Sequence, residues 1–200
     1  MKKVVVIGPE STGKSTLCEQ LARHYHTLWC PEYAREYLIK NGKEYTYDDL
    51  LTIAKGQIAL EEDICQSLVV SHRSSLYIEG HKEEDVSTLC LPDAPSSGLI
   101  FIDTDMYVMK VWCEYVFQKC HQYILDQIIE RKYDLYLLCN IDLPWAPDEL
   151  REYPDEVPRK ELYRIYKDIL LNQSVPWVEI SGQHNERLQR AIGAVEKKVL

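Results

Sequence analysis

The segment Gly8-Pro9-Glu10-Ser11-Thr12-Gly13-Lys14-Ser15 constrains this chain most, because it matches G-x-x-x-x-G-K-[ST] at every position. Before it runs Val4-Val5-Val6-Ile7, a β-branched stretch typical of a strand buried on both faces. After it, Leu17, Leu21 and Ala22 recur at helical spacing. Strand, glycine loop and helix in that order make a phosphate-binding loop. Gly8 and Gly13 let successive amides turn toward phosphate oxygens, Lys14 reaches the β- and γ-phosphates, Ser15 ligates Mg²⁺, and the helix presents its positive end. The expected ligands are an ATP-like triphosphate and Mg²⁺.

Further apolar runs alternate with helical patterns. Thr27-Leu28-Trp29-Cys30, Leu99-Ile100-Phe101-Ile102, Leu135-Tyr136-Leu137-Leu138-Cys139 and Pro176-Trp177-Val178-Glu179-Ile180 read as strands two to five. Helices are expected through Glu32–Leu38, from near Thr46 with Asp49 completing a capping box, over Tyr107–Phe117, His121–Arg131 and Arg159–Leu171, and around Leu188–Val195. This pattern predicts one α/β domain over residues 1–200, a P-loop fold with a parallel five-stranded sheet and helices on both faces. Two segments break the periodicity. Residues 71–98 read as an elaborated loop insertion with room for a short hairpin, and residues 141–160, which include Pro144, Pro147, Pro154 and Pro158, read as a lid.

The chain carries 32 acidic and 23 basic residues, a formal charge of −9, and no Lys/Arg-dense tract, which argues against nucleic acid as a partner. Its seven cysteines lack C-x-x-C spacing, so a reducing cytoplasm is expected. No signal-peptide-like start or membrane-length apolar run is visible, and a soluble, unexported protein is expected.

Candidate site residues follow from strand ends. Asp103 closes an apolar strand where a Mg²⁺-holding carboxylate belongs, with Asp105 able to share the task; Thr104 or Asp105 as a helix N-cap is the alternative. Glu32 ends strand two on the same sheet edge, placed to accept the proton of a substrate hydroxyl or to bind a sugar diol, or else to open a helix. Arg35, one turn on, is placed to anchor substrate or neutralise phosphate. Gln57, polar on an apolar face, is either satisfied by backbone or a substrate contact. Arg151 and Arg159 lie in or beside the lid, where an arginine arriving on closure stabilises a transferring phosphoryl group, although loop arginines are also often simply solvated. Among 14 Tyr and 4 Trp, Trp112 and Trp145 are candidates to stack on a flat, even cationic, heterocycle.

Several segments together, Glu32-Tyr33-Ala34-Arg35-Glu36, Gln57, Phe101-Ile102-Asp103-Thr104-Asp105, and Trp145 followed by Asp148, Leu150 and Arg151, resemble in order the ribosylnicotinamide kinase domain of NadR-like P-loop proteins. The resemblance covers most of the chain outside residues 71–98, which are much longer than the family's usual link. It implies a nucleoside-kinase-like fold and transfer of the ATP γ-phosphate to the 5′-hydroxyl of nicotinamide riboside, giving nicotinamide mononucleotide for NAD salvage. With no adenylyltransferase or helix-turn-helix domain before Met1, phosphorylation alone is the expectation. The resemblance supports nucleotide roles for Gly13, Lys14, Ser15 and Thr16, a metal role for Asp103, and lid roles for Arg151 and Arg159.

The full candidate set is therefore Lys14, Glu32, Asp103 and Arg151 for catalysis and Ser15 with Asp103 for the metal. Gly8, Glu10, Ser11, Thr12, Gly13, Lys14, Ser15, Thr16 and Arg159 are assigned to the nucleotide. Glu32, Arg35, Gln57, Asp105, Trp112, Trp145 and Asp148 are assigned to the acceptor. Two rival readings remain: a kinase of the same architecture for another nucleoside or small alcohol, and a nucleotide-sensing module without turnover.

Overall fold

The computed structural model describes residues 1–78, 98–153 and 155–200. Five strands, β1 (Lys2–Ile7), β2 (Trp29–Cys30), β3 (Leu99–Asp103), β4 (Leu135–Cys139) and β5 (Trp177–Ile180), form one sheet in the order β2-β3-β1-β4-β5. Every pairing is parallel, with Val4 opposite both Phe101 and Leu135. Seven helices appear among the described residues: α1 (Lys14–His24), α2 (Tyr33–Asn41), α3 (Tyr47–Ile78), α4 (Met106–Phe117), α5 (Gln122–Glu130), α6 (Glu156–Leu171) and α7 (His184–Lys198).

Period-two alternation along β1 explains the two layers. Val4 and Val6 pack with Leu17, Leu21, Ala191 and Val195 of α1 and α7. Val5 and Ile7 point the other way, onto Val108 and Val111 of α4 and Leu162 and Tyr166 of α6. A third cluster, including Ala34, Leu50, Ile53, Met109 and Ile124, joins α2 to α5 beside the sheet. Since both faces are covered, only the carboxyl ends of the strands open to a ligand, and the order reverses at β1, where Gly8 begins.

Some boundaries differ from expectation. The second strand is only Trp29–Cys30; Thr27 turns aside, its hydroxyl donating to the Leu99 carbonyl at 2.5 Å. α3 continues to Ile78, so residues 71–78 are helical rather than loop, and the remainder of the expected insertion with its hairpin, 79–97, lies outside the described residues. The capping box of α3 is present: Asp49 N donates to Thr46 Oγ1 at 3.3 Å and Asp49 Oδ2 accepts from Thr46 N at 2.7 Å. α6 begins at Glu156, so residues 156–160 of the expected lid are helix; Pro158 in its first turn forfeits no intrahelical bond.

Gly56 in α3 lets Tyr33 of α2 lie against the helix, and a Cβ there would overlap the Tyr33 ring. Replacing Gly by Ala inside a helix ordinarily gains about 1 kcal/mol, while overpacking costs about 1–3 kcal/mol, so the clash decides the sign. We expect Gly56→Ala to lower stability by about 1–2 kcal/mol in urea unfolding, and most of this loss to vanish in a Tyr33→Ala background. A stabilised single variant would rule out the close approach.

Candidate active site

Gly13 occupies the N-cap position of α1 with φ 76°, a left-handed conformation suited to glycine, and no side chain caps the helix. The first amides of α1 therefore remain available to an anion. Thr12 is fully buried and its hydroxyl donates to the Pro9 carbonyl at 2.8 Å, so its contribution to a nucleotide is its backbone. Lys14 Nζ donates to the same carbonyl at 2.9 Å. It must leave that carbonyl to meet a phosphate.

Across the β1–β3 pair, Ser15 Oγ donates to Asp103 Oδ2 at 2.5 Å. Asp103 is fully buried and its Oδ1 has no partner among the described residues. Burial pushes the Asp103 carboxyl above the usual carboxylate range, with Lys14 and the Ser15 hydrogen bond opposing. A hydroxyl and a buried carboxylate with a spare oxygen fit Mg²⁺, which completes its shell with water and phosphate oxygens. Among the described residues no cluster of three or more His, Cys, Asp or Glu is poised for a metal, and Mg²⁺ is commonly held by as few as one or two protein ligands.

The turn after Asp103 separates two carboxylates. Thr104 takes φ 80°, and Asp105 caps α4, its Oδ1 accepting from Tyr107 N at 3.0 Å and Val108 N at 3.3 Å while Oδ2 accepts from Tyr136 OH at 2.8 Å. Asp105 is thus a helix cap, and it does not line the cavity described below. Gln57 is likewise committed to backbone: its Oε1 accepts from Tyr33 N at 2.7 Å and its Nε2 donates to Pro31 O at 3.2 Å. It grips the β2–α2 junction from both sides. Glu32 lies between those two contacts, at the N-cap of α2 but without a capping hydrogen bond, and lines the cavity. Burial, then the Asp103 charge, push the Glu32 carboxyl up to about 7, with Lys14 and Arg35 opposing.

The segment expected to act as a lid is fastened on three sides. Glu10 Oε2 accepts from Glu152 N at 3.0 Å and Tyr153 N at 3.3 Å, and Ser11 Oγ accepts from Ala146 N at 2.9 Å and Arg151 Nη1 at 3.4 Å. Arg35 forms a bidentate pair with Asp148, at 3.1 and 2.9 Å, whose carboxylate also accepts from Leu150 N. Asp148 is therefore the partner of Arg35, and it does not line the cavity described below. Trp145 is absent from the cavity lining and forms an aromatic base for Arg151 and Arg159, whose guanidinium carbons stand 5.9 and 5.6 Å from its ring centroid. Arg159 is buried and donates to Leu143 O at 3.3 Å, outside the cavity lining. A Tyr45 link that no sequence pattern marks joins the acceptor wall to the lid: Trp112 Nε1 donates to Tyr45 OH at 2.8 Å, which donates to Glu152 Oε2 at 3.1 Å.

These elements enclose a cavity of about 420 Å³. Gly8 through Thr16 form one end of its lining; Glu32, Arg35, Trp112, Tyr115, Arg151, Glu152, Tyr153 and Tyr166 complete much of the remainder. A P-loop is thus continuous with an aromatic chamber edged by carboxylates.

Residues 3–187 match the family described as AAA domain, and the chain belongs to that family. Within that class it is similar to NadR proteins. It is 24% identical over 198 residues to the trifunctional NAD biosynthesis/regulator protein NadR of Escherichia coli (strain K12), covering 98% of this chain and 42% of that protein. The fold matches a NadR protein in complex with NR at TM-score 0.69 and 24% identity, and one in complex with NAD and AMP-PNP at 0.62 and 23%, each over 98% of this chain and 49% of the other. Thymidylate kinase from Ehrlichia chaffeensis matches at TM-score 0.54 and 15% identity, over 98% of each chain. The chain spans about half the length of the NadR proteins it matches. The shared architecture is that of P-loop nucleoside and nucleotide kinases.

A carboxyl held near 7 in the fold and at 4.5 when unfolded keeps its proton only in the folded state between those values, so stability falls as pH rises through that window. In metal-free protein, Glu32→Gln is expected to flatten this fall, leaving the variant more stable relative to wild type at pH 8 than at pH 5. Parallel urea midpoints at the two pH values would contradict the placement of Glu32.

Proposed function

We propose that the chain is an ATP- and Mg²⁺-dependent kinase that phosphorylates the 5′-hydroxyl of nicotinamide riboside to give nicotinamide mononucleotide. The observation that carries this reading is the single cavity in which the P-loop meets Glu32 and the aromatic walls. Relatedness to NadR, and the NR and AMP-PNP bound in the matching NadR structures, support it.

Bound triphosphate lies along the amides of Gly13 to Ser15, and Lys14 exchanges the Pro9 carbonyl for phosphate oxygen. Ser15 and Asp103 are the residues that would hold Mg²⁺, which supplies charge neutralisation on the phosphates. Glu32 orients the acceptor hydroxyl and takes its proton as the oxygen bonds to the γ-phosphorus. The bond to the β,γ-bridging oxygen breaks and ADP leaves. Arg151 moves from Ser11 and the Ala146 carbonyl onto the transferring group, where a positioned guanidinium offsets developing charge. The ring of the acceptor lies against Trp112 and Tyr115, with Glu152 at the chamber edge; aromatic faces and a carboxylate favour a cationic pyridinium.

The test is ADP release with Mg-ATP and a nucleoside panel containing nicotinamide riboside, its uncharged dihydro form, thymidine and uridine, with products identified by mass. We expect mononucleotide from nicotinamide riboside, preferred over the dihydro form by about tenfold in kcat/KM, the size of a partly desolvated cation–π contact. Turnover of thymidine or uridine alone would move the assignment to another nucleoside kinase. Saturable ATP binding without any product would make the chain a nucleotide sensor.

A further inference from the structure

Arg187, at the fourth position of α7, belongs to no recognisable motif and does not line the cavity, yet its side chain is only 4% exposed. Its guanidinium reaches three separate chain segments. Nη1 donates to the carbonyl of Thr12 in the P-loop at 3.0 Å. Nη2 donates to the carbonyl of Asn140 at 2.8 Å and also pairs with Asp142, where β4 gives way to the lid. Nε donates to the carbonyl of Gly182 at 2.9 Å, and Asp142 Oδ2 accepts from Gly182 N at 2.6 Å, so the β5–α7 turn closes the network.

The Thr12 carbonyl and the Gly13 N–H belong to one planar trans peptide and point in opposite directions. Fixing that carbonyl outward on Arg187 therefore fixes the Gly13 amide inward, at the head of the phosphate cradle. A cationic donor on the carbonyl also polarises the peptide and strengthens its N–H as a donor. The same guanidinium holds the root of the lid at Asn140 and Asp142, so the P-loop and the segment that carries Arg151 are referenced to one rigid group. A lysine ammonium, a compact charge without the planar fork, cannot span these partners.

We propose that Arg187 is a positioning residue for phosphoryl transfer, setting the Thr12–Gly13 peptide for triphosphate binding and registering the lid root against the P-loop. This rests on reading Gly8–Ser15 as the nucleotide site, but not on the identity of the acceptor.

The experiment compares wild type, Arg187→Lys and Arg187→Ala, each at a temperature well below its own melting point. Mg-ATP affinity is measured by calorimetry, KM for ATP and for nicotinamide riboside separately, and Arg187→Ala is repeated with added guanidinium. We expect ATP affinity to weaken about tenfold and kcat to fall about 10–100-fold, the scale of a misplacement of about 1 Å, with the acceptor KM changing less than about twofold. Guanidinium should restore part of the ATP affinity to Arg187→Ala. Should the alanine variant fail to fold, the lysine variant carries the test, with the Gly13 amide resonance in nucleotide-free protein expected to shift. Folded variants that keep wild-type ATP affinity and an unmoved Gly13 amide would overturn the proposal. ATP and acceptor affinities falling equally, without guanidinium rescue, would overturn it too. If wild type binds ATP but phosphorylates no nucleoside, the acceptor assignment fails while the ATP affinities still decide the role of Arg187.

Discussion

The hydrogen bond from Ser15 to Asp103, at 2.5 Å, joins the first turn of α1 to the end of β3 and leaves one oxygen of a fully buried carboxylate without a partner among the described residues. An ionised carboxylate in that position is costly unless a cation or donor meets it. The surrounding structure makes such a site accessible from one direction only, because helices cover both faces of the sheet and the strand ends converge on a single cavity. The uncapped N-terminus of α1 and Lys14 supply positive charge there, within a chain whose overall charge is −9. Local placement thus offsets an unfavourable global field.

Around this centre, two polar side chains act through backbone rather than ligand. Gln57 holds the peptides on either side of Glu32, and Arg187 holds those of Thr12 and Asn140. Each fixes a loop at a strand end, where catalytic groups need placement within a fraction of an ångström. The lid is attached by contacts of a different kind: the Arg35–Asp148 pair, Tyr45–Glu152, and the Glu10 and Ser11 contacts to lid amides lie near the surface. Such exposed contacts are individually weak and readily exchanged, which is compatible with the lid role proposed for this segment.

How much was legible in the sequence depended on whether neighbours in space were also neighbours in pattern. β1, the P-loop and α1 form one continuous signal, and the Leu99–Asp103 run marks its own buried strand. Gln57, Asp105, Trp145 and Asp148 were recognisable as unusual, but a polar or aromatic group reads alike whether backbone, an ion-pair partner or a ligand meets it. The structure gives the first two to backbone and a tyrosine, the third to two arginines and the fourth mainly to Arg35. Arg187 left no trace because its partners lie up to 175 residues away. The far part of α3 reads as loop because Ser71-His72-Arg73-Ser74-Ser75 carries no apolar stripe, and periodicity is visible only where a helix has one.

In the proposed kinase, donor and acceptor share one cavity, with Glu32 and the P-loop facing a common point of transfer. A compound joining nicotinamide riboside to adenosine through a 5′–5′ pentaphosphate tests it most directly, by inhibition kinetics with stoichiometry from calorimetry. One molecule should bind per chain and compete against both ATP and nicotinamide riboside. Competition against ATP alone, with the nucleoside still binding to the inhibited protein, would contradict it.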